Sequence, residues 1–66
     1  MKGIVIELKD NKVIKTYKCR VDVNLNTEEY YFYGKWYATI TKDELGTWKD
    51  VSHLSCKADK VMFCLR

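Results

Sequence analysis

The sequence predicts a single small α+β domain, an antiparallel β-sheet of order β-β-β-α-β with one short helix near residues 42–52. Three observations carry this prediction. Two runs of alternating apolar and polar residues lie between Ile4 and Leu25, a strand-favouring aromatic stretch occupies residues 30–40, and helix-start signals lie at Thr41 and Glu44. With 66 residues there is room for one domain and no linker, repeat or low-complexity tract. Apolar residues make up 47% and charged residues 32%, a balance that excludes a disordered chain.

In the first run Ile4, Ile6 and Leu8 alternate with Val5 and Glu7, giving a strand with one apolar face. Asp10-Asn11 then supplies residues that tolerate the positive φ of a tight hairpin turn. The second run is more regular: Tyr17, Cys19, Val21, Val23 and Leu25 alternate with Lys18, Arg20, Asp22 and Asn24. Residues 24–27 read as the next turn. In the stretch YYFYGKWY and beyond, Tyr30, Phe32, Gly34, Trp36, Ala38 and Ile40 share one parity, and Tyr31, Tyr33, Lys35, Tyr37 and Thr39 the other. A two-residue Gly34-Lys35 hairpin loop would place Tyr33 opposite Trp36 and mix these sets. Alternation therefore predicts one long strand bent at Gly34.

Thr41 and Glu44 have capping-box spacing, and Ile40 and Leu45 stand at the hydrophobic-staple positions. Leu45, Trp48 and Val51 continue at intervals of three, which extends the expected helix through Gly46 to about residue 52. Residues 53–56 read as a short strand or a connection. Val61 to Leu65, apolar throughout, reads as a central strand covered on both faces. A five-stranded small β-barrel is the alternative architecture.

Three cysteines, Cys19, Cys56 and Cys64, do not form the even set of a secreted disulfide scaffold. No signal-peptide pattern, membrane-length apolar run or lipidation motif is present. A reduced cytoplasmic setting is expected, the host cytoplasm if the gene is viral. The nearest approach to a metal set is His53-x-x-Cys56 with Cys64 and Cys19. Its spacing matches no zinc knuckle, Cys19 lies on an apolar strand face and Cys64 in a core-like run, so buried thiols and no metal or other cofactor are expected. His53 and Cys56 do not amount to a nucleophilic pair, and the paired acids fit a turn and a helix N-terminus. The chain is expected not to be an enzyme.

What remains is the Tyr-rich strand face. Tyr31, Tyr33, Lys35 and Tyr37 would stand about 7 Å apart in a row, and tyrosine is enriched among interface anchors. A non-enzymatic protein-binding module follows, of inhibitor or adaptor type, as a virus or mobile element would encode. The alternatives are a single-stranded nucleic-acid binder and a homo-oligomer, such as a homodimer. The net charge of +3 decides nothing between them, but its distribution does. Residues 1–20 are basic, whereas the aromatic row is flanked by Glu28, Glu29, Asp43 and Glu44. Phosphate binding would require Lys18 and Arg20 on the tyrosine face, which happens only if the second strand neighbours the aromatic one.

Overall fold

A computed structural model describes all of residues 1–66 as six antiparallel strands in one curled sheet, a half-barrel with no helix beyond a single 3-10 turn. The strands are β1 (Lys2–Lys9), β2 (Lys12–Asn24), β3 (Glu29–Tyr33), β4 (Ala38–Thr41), β5 (Trp48–Asp50) and β6 (Lys60–Leu65). Their order across the sheet is β4-β3-β2-β1-β6-β5. This overturns the α+β expectation. The five-stranded barrel does not form either, because β4 and β5 are open edges rather than neighbours.

The first hairpin is as the sequence predicts. Asp10 and Asn11 carry φ of 51° and 63°, the paired positive values that match the twist of a tight turn between β1 and β2. Asn24 opens the next turn by accepting the amide N–H of Asn26 on its side-chain oxygen. Leu25 falls in that turn and is 81% exposed, so the apolar alternation of β2 ends at Val23.

Gly34 does not bend a long strand. β3 and β4 form a hairpin in which Tyr30 faces Ile40 and Phe32 faces Ala38, with residues 34–37 as the loop. Each pair sums to an even number, so even-numbered residues stay with even-numbered ones. The parity that favoured a bent strand is equally the parity of this wider hairpin. A Cβ on Gly34 would come within 3.1 Å of the Cys19 Cβ, which explains a glycine where the loop folds back over β2.

The helix expected near 42–52 is reduced to a 3-10 turn at Lys42–Glu44. Its start signals are used locally: the Glu44 carboxylate accepts the N–H and hydroxyl of Thr41. Gly46 at φ 75° then turns the chain, and Trp48–Asp50 becomes edge strand β5 beside β6. Residues 53–56 are connection. β6 lies between β1 and β5, but only Val61 and Phe63 are buried; Met62 and Cys64 on its other face are half-buried.

The core fills the concave side. Val5, Val21, Phe32, Ile40, Val51, Ala58, Val61 and Phe63 are buried there, and the Phe32 and Phe63 rings meet edge to face at 5.1 Å. The faces of β1 are the reverse of the expected ones. Gly3, Val5 and Glu7 point inward, and Ile4, Ile6 and Leu8 lie on the convex side. Gly3 is inside because Val21 and Phe32 fill the space its side chain would need. Glu7 is inside because two aromatic donors use its carboxylate.

Candidate interaction surfaces

The register of the sheet brings most of the expected site residues onto one face. β2 pairs with β3 so that Arg20 lies opposite Tyr33 and Asp22 opposite Tyr31. Lys18, two residues from Arg20, shares this convex face. The Arg20 guanidinium lies 4.8 Å from the Tyr33 ring centroid, and Tyr37 packs edge to face on Tyr33 at 5.4 Å. Tyr37 is itself 74% exposed at the loop. The condition for combining basic and aromatic groups on one surface is thus met for Lys18, Arg20, Tyr31, Tyr33 and Tyr37. It is not met for Lys35, whose ammonium lies 5.7 Å from the Tyr17 ring in a separate cleft. Acids share the face as well. Glu29 accepts the Tyr31 hydroxyl, and Asp22 stands 3.9 Å from Arg20.

Beside this aromatic patch runs an apolar one. Trp48, Met62 and Ile6 are consecutive register partners across β5, β6 and β1, and Cys64 pairs with Ile4. Leu8 extends the row, and Trp48 retains 39% of its accessible surface. All six strands lie in the one sheet, and Ile4, Ile6, Leu8, Met62 and Cys64 on this side are half-buried rather than buried. Alternation alone does not reveal the patch, because an apolar face such as Ile4, Ile6 and Leu8 can serve equally as core or as surface. The signal was in their partners: Met62 and Cys64 sit in a run with no polar face at all.

The concave side holds one cleft, about 880 Å³, between the β1–β2 hairpin, the β3–β4 loop and the connection from β5 to β6. It is lined by Tyr17, Trp36 and Ile14, by Lys9, Lys15, Lys35 and Lys57, and by Glu7, Ser55 and Cys56. A β-bulge shapes it. Glu7 pairs with Lys15 and Leu8 with Val13, leaving Ile14 as the extra residue, so Ile14 and Lys15 both reach the cleft. The Trp36 indole N–H donates to Glu7 Oε2 at 2.8 Å, and the Tyr17 hydroxyl to Oε1 at 3.5 Å.

The three thiols are far from acting together. Cys19 projects from the concave face and Cys64 from the convex one, and desolvation raises the pKa of both. Cys56 lies in the exposed connection between β5 and β6, its Sγ 3.6 Å from the Ala58 carbonyl. No group of three or more His, Cys, Asp or Glu side chains is arranged to hold a metal ion. No helix is long and apolar enough to cross a membrane.

No protein-family model matches the chain, and no curated protein or solved structure does so either.

Proposed function

We propose that the chain is a non-enzymatic protein-binding module, of inhibitor or adaptor type, that captures its partner with the convex face of the sheet. The observation that carries this reading is the partly exposed apolar row Ile4, Ile6, Leu8, Met62, Cys64 and Trp48, bordered by Lys18, Arg20, Tyr31, Tyr33 and Tyr37. An apolar centre with a rim of tyrosine, arginine and lysine is the composition of a protein–protein interface. Trp48 is exposed and the other five are half-buried, and a contiguous apolar patch left partly open to solvent marks an interaction surface. The raised thiol pKa values of Cys19 and Cys64 weigh against those two as nucleophiles, which act as thiolates. The anchors are thus redistributed from the aromatic row alone to a wider face, without Lys35.

The experiment is a pull-down with wild type, Ile6→Glu, and the triple variant Tyr31→Ala, Tyr33→Ala, Tyr37→Ala, each checked for its fold by circular dichroism. Loss of the same partner from both folded variants supports the reading, and retention by both defeats it. Light scattering run in parallel identifies the partner as a second copy if wild type self-associates and Ile6→Glu does not. One observation favours a second reading, a single-stranded nucleic-acid binder: Arg20 and Lys18 do stand beside Tyr33. Asp22 and Glu29 next to Tyr31 oppose a phosphate chain there, which keeps the protein partner ahead.

A further inference from the structure

We propose that the concave cleft, on the face opposite the docking surface, is a binding site for a nucleoside phosphate, either a free nucleotide or one nucleotide unit of a single strand. Its volume of about 880 Å³ falls among clefts that hold small ligands. Four lysines, Lys9, Lys15, Lys35 and Lys57, surround it, against one lining carboxylate, Glu7. Lys9 is paired with Asp59 at 3.5 Å, whereas Lys15, Lys35 and Lys57 have no acidic partner. Lys15 and Lys35 come from different elements, yet their ammonium groups both stand beside Tyr17, 5.6 and 5.7 Å from its ring centroid. Lys15, Lys35 and Lys57 thus outnumber the single lining carboxylate, Glu7, which Trp36 and Tyr17 already engage, and such an excess of positive charge favours an anion.

The chemistry narrows the anion. The rim offers lysines and no arginine. Lysine binds phosphate as a compact point charge, and the higher charge of a phosphate gains more than a carboxylate from several ammonium groups. The floor selects the rest of the ligand. Trp36 supplies the aromatic surface, since the two ammonium groups stand over the Tyr17 ring, and both side chains are held by Glu7, so the floor is preorganised. The Glu7 carboxylate, 8% exposed, repels a phosphate from the floor and accepts hydrogen bonds there. The ligand therefore enters with a flat, uncharged, hydrogen-bonding ring inward and its phosphate at the lysine rim. A nucleotide has that polarity. Lys15 faces the cleft by alternation with Tyr17, and the bulge just beyond it adds Ile14 to the same wall.

The test uses Trp48→Phe, which leaves Trp36 as the sole indole, and follows its fluorescence on titration with ADP, adenosine, inorganic pyrophosphate and a single-stranded hexanucleotide. Saturable quenching is expected with ADP, the hexanucleotide or both, and adenosine and pyrophosphate should each bind about tenfold more weakly or less. Response to ADP assigns a free nucleotide, and response to the hexanucleotide alone assigns a strand. In the same background, Lys15→Ala with Lys35→Ala should weaken that binding roughly tenfold or more, and Lys18→Ala with Arg20→Ala should leave it unchanged. Lys57→Ala, in the connection before β6, replaces the lysine double variant if that variant does not fold. The proposal is overturned if neither ADP nor the hexanucleotide quenches Trp36. It is equally overturned if pyrophosphate or adenosine matches the best ligand, or if only the Lys18 and Arg20 changes matter.

Discussion

Trp36 reaches back 29 residues to place its indole N–H 2.8 Å from the carboxylate of Glu7, the one buried charged side chain in the protein. The bond ties the β3–β4 loop to the central strand. Glu7→Ala would leave the Trp36 N–H and the Tyr17 hydroxyl without their acceptor, at a cost of about 2–3 kcal/mol. Glu7→Gln keeps an acceptor oxygen and should cost about 1 kcal/mol or less. Urea denaturation of the two variants checks this ordering. Equal losses would mean that the carboxylate carries no hydrogen-bonding role.

Gly3 is closed in by three strands. A Cβ there would stand 2.5 Å from Val21 Cγ2, 2.8 Å from Phe32 Cε2 and 3.2 Å from the Cys64 carbonyl oxygen. Val21 and Phe32 are both fully buried, so neither can yield without disturbing the core. Gly3→Ala should destabilise by about 1–3 kcal/mol, the usual cost of overpacking. At Gly46 the space is open, but φ is 75°. Gly46→Ala should therefore cost about 1–2 kcal/mol through backbone strain alone. Thermal melts of both variants test the difference in cause: enlarging the space at Val21 with Val21→Ala should relieve part of the Gly3→Ala penalty and none of the Gly46→Ala penalty.

The local signals were legible and their combination was not. Asp10-Asn11, the Asn24 turn and the alternation of Tyr17 to Val23 each specify their own backbone, and each is found in place. Parity could not separate a bent strand from a hairpin, because a register such as Phe32 to Ala38 preserves it. The Thr41–Glu44 signals hold for a single turn, and nothing after Gly46 sustains a helix against pairing with β6. At the sites, alternation correctly put Tyr31 and Tyr33 on one face and Lys18 and Arg20 on another, and the β2–β3 register merged the two. The inward turn of Glu7 was hidden because a lone glutamate in a strand reads as solvated unless its donors, 10 and 29 residues away, are known.

The three cysteines should react in a set order. Cys56 is exposed, whereas Cys19 and Cys64 are partly covered and desolvation holds their thiols protonated to higher pH. The thiolate is the reactive species, so Cys56 should be modified first by Ellman's reagent near pH 8. Cys56→Ser should abolish the fast phase and leave the two slow ones. A fast phase that survives this substitution would place a reactive thiol on the sheet itself. If the convex face carries the partner, bound partner should further slow Cys64 and leave Cys56 unchanged.

Acid should loosen the β4–β5 connection first. The Glu44 carboxyl is lowered from 4.5 to about 2 by its bond to Lys49, helped by the Thr41 hydroxyl and N–H. Asp50 and Asp59 are lowered too, Asp50 by Ser52 and Asp59 chiefly by the Asp10 backbone N–H. A folded pKa below the unfolded one means that the unfolded chain binds more protons between the two values. The contribution of Glu44 is therefore fully present above pH 4.5 and is lost as pH falls toward 2. Stability from urea midpoints should be flat near neutrality and decline through that window. Glu44→Gln should lower the neutral plateau and flatten the decline, and added salt should reduce the difference between variant and wild type because the pair is partly open to solvent. A decline as steep in Glu44→Gln as in wild type would move the acid sensitivity to Asp50 and Asp59, where Ser52→Ala would then separate the two by removing the side-chain donor to Asp50 alone.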